Sequence, residues 1–428
     1  MQTDFHYDTV IIGGGPGGST AGAFLARAGQ RVLVLEKEIF PRFHIGESLL
    51  PFGNDVLKQS GAWEKVEAAG FQPKYGAEFC VGNGSRLQRF WFARGLVPGY
   101  GQTFQVERAR FDHVLLNHAA DSGCEVRQGC AAKNVSRETD GWRVTLANGE
   151  VRSRWLIDAS GRDIFLGRTW SLPREPVNIP KRVAVYAHFT GVYRNPGEAE
   201  GHITIVRLKD GWFWLIPLAD GKTSVGMVRL LDDLKRFGGT PENWYEQTAA
   251  ESSEVARRMK GAQRVSDVFT TSDYSYRFAQ LASDRALLVG DAGGFIDPIF
   301  SSGVYIATKS AQMASELILR AEGRGRGGLT SGEQRRYTRE VHRFMGIYRQ
   351  MILMYYDNSA FEVFMYPQNR FRMVQTVNSI LAGNTRRSFG MWWRLKLFHL
   401  VCAIHARVPI VPPLVYSEKK PEPTVLRA

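Results

Sequence analysis

Short apolar runs that break into glycine organise this chain. Residues 7–38, YDTVIIGGGPGGSTAGAFLARAGQRVLVLEKE, hold an apolar run at 9–12, a glycine cluster, a helical stretch of small residues and a second apolar run ending at Glu36. A continuous rather than alternating run suits a strand buried on both faces of a parallel sheet. The helical stretch stops at Gly29, a residue free to take the left-handed conformation of a C-cap. The pattern predicts strand, tight turn, helix, strand. Two further apolar strands break into small residues at WLIDASGR (155–162) and RALLVGDAGGFIDP (285–298). Residues 103–123 predict a loop and a helix ending at Gly123. From 124 to 161, alternation punctuated by Asp140-Gly141 and Asn148-Gly149 predicts hairpin strands. Residues 180–275 mix strands with one helix over 241–261. A long helix follows 298, and beyond the glycine-rich break at 322–332 the pattern is mainly helical.

Composition narrows the classes. A chain of 428 residues exceeds what one core serves, so two or three subregions are expected. Hydrophobic content of 44% against 23% charged excludes a disordered chain. The net charge of +13 points to an anionic partner without selecting one. Cys80, Cys124, Cys130 and Cys402 form no CxxC pair and the nine histidines show no HxxxH or HxH spacing, so no metal site is expected. Thiols without a bridging pattern suit a reducing compartment, and no cleavable leader or membrane-spanning run is read, so a cytoplasmic location is expected. No nucleic-acid motif appears, and nucleic acid is excluded as a partner.

The glycine cluster carries the first chemistry. Gly13, Gly15 and Gly18 form GxGxxG between a strand and a helix. The first permits the tight turn, the second lets backbone approach a pyrophosphate, and the third lets helix and strand pack closely. The helix start offers free N–H groups and a positive dipole end to phosphate. Glu36, 18 residues after Gly18, stands where a carboxylate accepts ribose hydroxyls. These residues predict dinucleotide binding. A second stretch, KDGWFWLIPLADG (209–221), puts Trp212 and Trp214 on one face of a strand and Phe213 on the other.

GxGxxG, VERARFD (106–112), DASG (158–161) and GDA (290–292), in this order, resemble the FAD flavoproteins that include aromatic hydroxylases, geranylgeranyl reductases and flavin-dependent halogenases. The likeness spans roughly residues 5–330. Four stretches are most similar to the halogenases, and among them to the phenol and pyrrole halogenases. GWFWLIP fits GWxWxIP; FIDPIFSSG (295–303) fits F-x-x-P-x-x-S-x-G; PRFHIGESLLP (41–51) looks like the flavin-side loop; FQPKYGAEF (71–79) puts Lys74 at the active lysine.

The resemblance implies an α/β fold. A Rossmann-like FAD-binding domain is expected from 1–70, 101–178 and 276–330, a β-sheet substrate domain from 71–100 and 179–275, and a helical C-terminal region over 331–428. It implies FADH2-dependent chlorination or bromination of an electron-rich aromatic such as a phenol or pyrrole. Reduced FAD and O2 give a flavin hydroperoxide, chloride or bromide attacks it, and the resulting hypohalous acid is relayed to Lys74. FAD would be held by Gly13, Gly15, Gly18, Glu36, Lys37, Arg42, Ser48, Arg108, Asp291, Pro298 and Gly303. Halide would sit on backbone N–H groups at Ser302 and Gly303. Ser301 joins Lys74, Trp212 and Trp214 as catalytic, the tryptophans barring the organic ring from the flavin; alternatively Ser301 caps the next helix. Glu47 or Glu78 would assist Lys74. Tryptophan halogenases carry a glutamate just before the serine of the SxG stretch; Phe300 stands here, which argues against free tryptophan.

Substrates of the phenol and pyrrole enzymes often arrive as thioesters on an acidic carrier protein. With no second GxGxxG for a nicotinamide, a separate flavin reductase is expected to supply FADH2. The basic, aromatic C-terminal helices suit peripheral membrane contact, a pocket lid or a carrier dock. A geranylgeranyl-reductase-like enzyme, a hydroxylase-type oxidoreductase and a flavoprotein without turnover remain as alternatives.

Overall fold

A computed structural model describes residues 5–272 and 274–416. The expected strand, turn, helix and strand are Tyr7–Ile12, Pro16–Arg27 and Val32–Leu35. Tyr7–Ile12 runs parallel to Val32–Leu35 on one side and to Gly149–Asp158 on the other, inside a seven-stranded sheet. That central place explains the unbroken apolar run, and Val10 and Ile11 are wholly buried. Parallel pairing extends to Glu125–Arg127 and Ala286–Leu288. Trp142–Leu146 and Asn134–Arg137 close the edge antiparallel, as the turn dipeptides predict. Pro16–Arg27 packs against the long helix Gly303–Gly323.

The chain forms two compact units. The first takes in residues through Phe71, Val106–Ile179 and Tyr274–Ile352; the second takes in Gln72–Gln105, the stretch from Pro180 to Ser272, and the chain from Leu353 onward. The second unit is built on an eight-stranded sheet in which Arg182–Thr190, Lys222–Leu230, Gly211–Pro217, Ile203–Arg207, Gly76–Val81 and Leu87–Trp91 lie side by side. Pairing along this row is antiparallel except between Ile203–Arg207 and Gly76–Val81.

Period two divides the sheet's side chains. Val185, Phe213, Leu215, Val225 and Met227 face a core completed by Trp244, Tyr245 and Val255. On the other face Phe79 and Trp212 meet Tyr355, and Phe79 also meets Phe364 of the helix Asn358–Met365. The C-terminal region is helical, with Met373–Leu381 and Phe389–His405 following. A two-stranded ladder, Gln72–Lys74 with Thr103–Gln105, completes the second unit's strands of interest.

One expectation is corrected. The single helix over 241–261 is two, Pro241–Glu251 and Ser253–Arg258. Ser252 takes extended backbone between them; its hydroxyl accepts the Val255 N–H at 3.4 Å and donates to the Gly82 carbonyl at 2.8 Å. Serine's preference for capping outweighs the helical neighbours on either side.

Candidate active site

In the first unit the glycine turn is built as its spacing demands. Gly13 has φ +103, and a Cβ on Gly18 would lie 1.8 Å from the Gly13 carbonyl oxygen, so helix and strand touch through glycine. A Cβ on Gly15 would meet only the Arg42 guanidinium, at 3.6 Å. The helix begins with Pro16 and has no side-chain cap. Gly17 and Gly18 are buried, and among the described residues their N–H groups have no partner. Orphaned buried donors at a helix start, beside an arginine, fit a pyrophosphate. Glu36 is buried just past its strand; its carboxylate accepts the Gly14 N–H at 2.7 Å and the Glu38 N–H at 2.9 Å, which fix its orientation. These features fit the nucleotide half of FAD.

Arg108 is buried rather than solvated at its helix start. It donates to both oxygens of Asp112, at 2.7 and 2.9 Å, and to the Ile45 carbonyl at 2.9 Å. Arg42 donates to the same Asp112 at 2.9 Å. The loop 41–51 is therefore pinned at the Ile45 carbonyl by Arg108 and at Arg42 by the buried Asp112 carboxylate. Ser48 is buried within it. His44 is held down to about 4 by burial and by the charge of Arg108, so it is neutral. Asp291 follows the sheet edge strand; burial pushes its carboxyl up to about 6, against the pull of Arg108 and Arg162. Its carboxylate accepts no hydrogen bond from the described residues. Lys37 stands apart: it is exposed, and its ammonium pairs with Asp163 at 2.6 Å.

The Pro298–Gly303 turn is strained at one point. Ser301 has φ +56, unusual for a residue with a Cβ, and its N–H donates to the Pro298 carbonyl at 3.1 Å. Ser302 is the N-cap of Gly303–Gly323, without a side-chain capping bond. The capping role considered for Ser301 is thus not the one it has. Among the described residues, the N–H groups of Ser302, Gly303 and Val304 have no partner. A left-handed residue leading into a helix start gathers such donors toward an anion. Phe300 is buried beside them.

In the second unit Lys74 sits in the two-stranded ladder opposite Thr103 and is 1% exposed. It is no surface lysine. Its ammonium lies 5.2 Å from the Phe92 ring centroid, and burial holds its pKa down to about 7. Glu78 does not assist it. That carboxylate is taken by Arg258 and by Arg89, the latter at 2.6 Å, and burial alone shifts Lys74.

Trp212 and Trp214 share a face, centroids 5.8 Å apart, while Phe213 meets Tyr245 on the other. Trp212 Nε1 donates to the Tyr356 hydroxyl at 2.9 Å, and Trp214 Nε1 to the Ser224 hydroxyl at 3.1 Å. The Trp214 ring lies over Gly226, where a Cβ would be 2.1 Å from Cζ2. Both indoles are core and rigid at once.

Two residues escaped the sequence reading. Asp112 stands four residues after Arg108 inside VERARFD, a spacing that pairs side chains on a helix and was open to inspection. His202 is buried near Lys74 and had no motif to announce it.

Comparison with known proteins agrees with this geometry. A family model described as an FAD binding domain matches residues 6–345. A 1H-pyrrole-2-carbonyl-[peptidyl-carrier protein] chlorinase of Pseudomonas fluorescens is 33% identical over 348 residues, 75% of this chain and 77% of the relative. A tryptophan 2-halogenase of Chondromyces crocatus is 37% identical over 331 residues, 74% of this chain and 62% of the relative. The solved structure of the flavin-dependent brominase Bmp2 superposes with a TM-score of 0.83 at 29% identity, covering 94% of this chain and 99% of that one. The chain therefore belongs to the flavin-dependent halogenases, FAD-dependent enzymes that share this mixed α/β fold.

Proposed function

We propose that this halogenase chlorinates or brominates an electron-rich aromatic ring, a phenol or a pyrrole, and that Lys74 delivers the halogen. The observation that carries the reading is a lysine that is 1% exposed and that burial holds down to about 7. Near neutrality such a side chain populates both forms. The ammonium donates a hydrogen bond to hypohalous acid; the amine takes its halogen and releases water, then passes the halogen to the ring and regains its proton. Bound reduced FAD supplies, with O2, the two-electron oxidation of halide. The chain's own part is to hold it: the Gly17 and Gly18 N–H groups and Arg42 take phosphate, Glu36 the ribose, and Arg108 and Asp291 border the flavin end. The N–H groups of Ser302 and Gly303 hold chloride or bromide. Trp212 and Trp214 do not react; fixed by Tyr356 and Ser224, they keep the organic ring from the flavin.

The carrier-protein chlorinase relative supports a substrate tethered to a carrier. The tryptophan 2-halogenase relative makes free tryptophan the rival, and Phe300, where a catalytic carboxylate would stand, weighs against it. A separate flavin reductase supplies the reduced cofactor. No helix among the described residues is long and apolar enough to cross a membrane. Phe389–His405 nevertheless exposes Phe389, Trp392 and Leu400 together with Lys396, is followed by the exposed Arg407, and carries no acidic residue. That face supports peripheral contact with an anionic membrane.

The test is reconstitution with FAD, NADH, a flavin reductase, O2 and bromide. Phenol, pyrrole, a pyrrolyl thioester on a carrier protein, free tryptophan and an unsaturated isoprenoid are offered in parallel. Brominated phenol or pyrrole is expected. Bromotryptophan as the sole product, or halide-independent saturation of an isoprenoid, overturns the proposal.

A further inference from the structure

His202 is 1% exposed, and among the described residues neither ring nitrogen has a hydrogen-bond partner. Leaving a buried donor or acceptor unpaired costs about 1–3 kcal/mol, so native chains rarely keep one without a use. The ring is not loose. Trp91 meets it edge-on at 4.5 Å between centroids, and a Cβ on Gly76 would be 2.9 Å from Nε2. The glycine leaves the room that the imidazole fills.

The segment carrying His202 lies along the Lys74 ladder. A Cβ on Gly201 would be 1.7 Å from the Pro73 carbonyl oxygen, and Gln105 Nε2 donates to the Gly201 carbonyl at 2.9 Å. Gln105 is wholly buried, and with its amide nitrogen so used its Oε1 has no partner among the described residues. In the ladder Gln105 pairs with Gln72 and Thr103 with Lys74, so these four side chains share one face. Lys74 is among the charges that act on His202, and burial keeps the imidazole neutral, with a pKa of about 4. A neutral imidazole offers one lone pair and an amide oxygen offers two. Two acceptors, unsatisfied among the described residues, therefore lie along the ladder that carries the lysine, one of them within reach of its charge.

We infer that His202, with Gln105, forms a substrate subsite that accepts the ring O–H of a phenol or the N–H of a pyrrole and seats that ring against Lys74. The inference rests on the assignment of Lys74 above. Accepting this hydrogen bond moves electron density into the ring, which favours attack on electrophilic halogen, and needs no proton transfer. A ring lacking the donor leaves both acceptors unpaired, the situation in which polar sites discriminate most strongly.

The experiment compares phenol with anisole, and pyrrole with N-methylpyrrole, on wild type, His202→Phe, His202→Asn and Lys74→Met, with FAD affinity and FADH2 oxidation measured alongside. Wild type is expected to prefer the donor-bearing ring at least about 100-fold in kcat/KM. His202→Phe reduces that preference to within about 5-fold, mainly through KM, with FAD affinity and FADH2 oxidation unchanged; His202→Asn, which restores an acceptor, recovers much of it. If His202→Phe does not fold, His202→Leu against His202→Asn reads the same difference. A preference unchanged in the phenylalanine or leucine variant, while Lys74→Met makes no product, overturns this inference alone. Wild-type product from Lys74→Met instead overturns the assignment of Lys74 on which it rests.

Discussion

Replacing Lys74 with methionine removes a buried amine and keeps an unbranched side chain of similar length. Lys74 falls from an ordinary 10.5 to about 7. At 1.36 kcal/mol per unit, charging it in the folded chain costs about 5 kcal/mol more than in the unfolded chain. Because the folded value is depressed, the unfolded chain binds more protons between pH 7 and 10.5, and wild-type stability rises across that window. Integrated over both titrations, the penalty is about 4.5 kcal/mol at pH 6.5 and about 1.4 kcal/mol at pH 9.5. Methionine carries none of it. Lys74→Met should therefore be the more stable protein, by roughly 3 kcal/mol more at pH 6.5 than at 9.5, while losing activity. The assay is the urea midpoint followed by tryptophan fluorescence, since Trp212 and Trp214 report on the same unit. A variant less stable than wild type at pH 6.5, or a difference that does not change with pH, refutes the buried-amine reasoning.

Gly18→Ala should abolish FAD binding in a flavin-fluorescence titration, because its Cβ would lie 1.8 Å from the Gly13 carbonyl oxygen. Glu36→Gln should weaken FAD about 10-fold in the same titration, as a charge-assisted acceptor becomes a neutral one. Trp212→Phe and Trp214→Phe should leave FAD affinity within about 2-fold while halogenated product per FADH2 oxidised falls and peroxide rises; an unchanged ratio counts against their role as a barrier. The full-length protein should sediment with phosphatidylglycerol vesicles but not with phosphatidylcholine vesicles, and Phe389→Ser with Trp392→Ser should release it; binding to a carrier protein with no vesicle binding assigns that face otherwise.

The glycine turn, the buried central strand and the face shared by Trp212 and Trp214 were legible because each rests on local rules: left-handed glycine, parallel-sheet burial, period two. Lys74 was legible only by resemblance, since nothing in QPK marks the lysine as buried. Its burial comes from the ladder with Thr103–Gln105, a pairing across roughly thirty residues that no local period encodes. The same distance hid His202, whose surroundings are assembled from Trp91, Gly76 and the ladder. Glu78 was misjudged for the opposite reason. Proximity in sequence suggested help for Lys74, yet the chain passes from the two-stranded ladder into the eight-stranded sheet between them, and Arg258 and Arg89 engage the Glu78 carboxylate there. The break at Ser252 shows a cap hidden inside good helical neighbours.

The central claim is that halide oxidation and halogen delivery are separable, with Lys74 responsible for the second. It is tested most directly by measuring, in one single-turnover reaction with bromide and phenol or pyrrole, brominated product per FADH2 oxidised in wild type and Lys74→Met. The account predicts equal FADH2 oxidation in both, product in wild type and at least about 100-fold less in the variant (a loss of about 2.7 kcal/mol in transition-state stabilisation). Equal product from both proteins contradicts it.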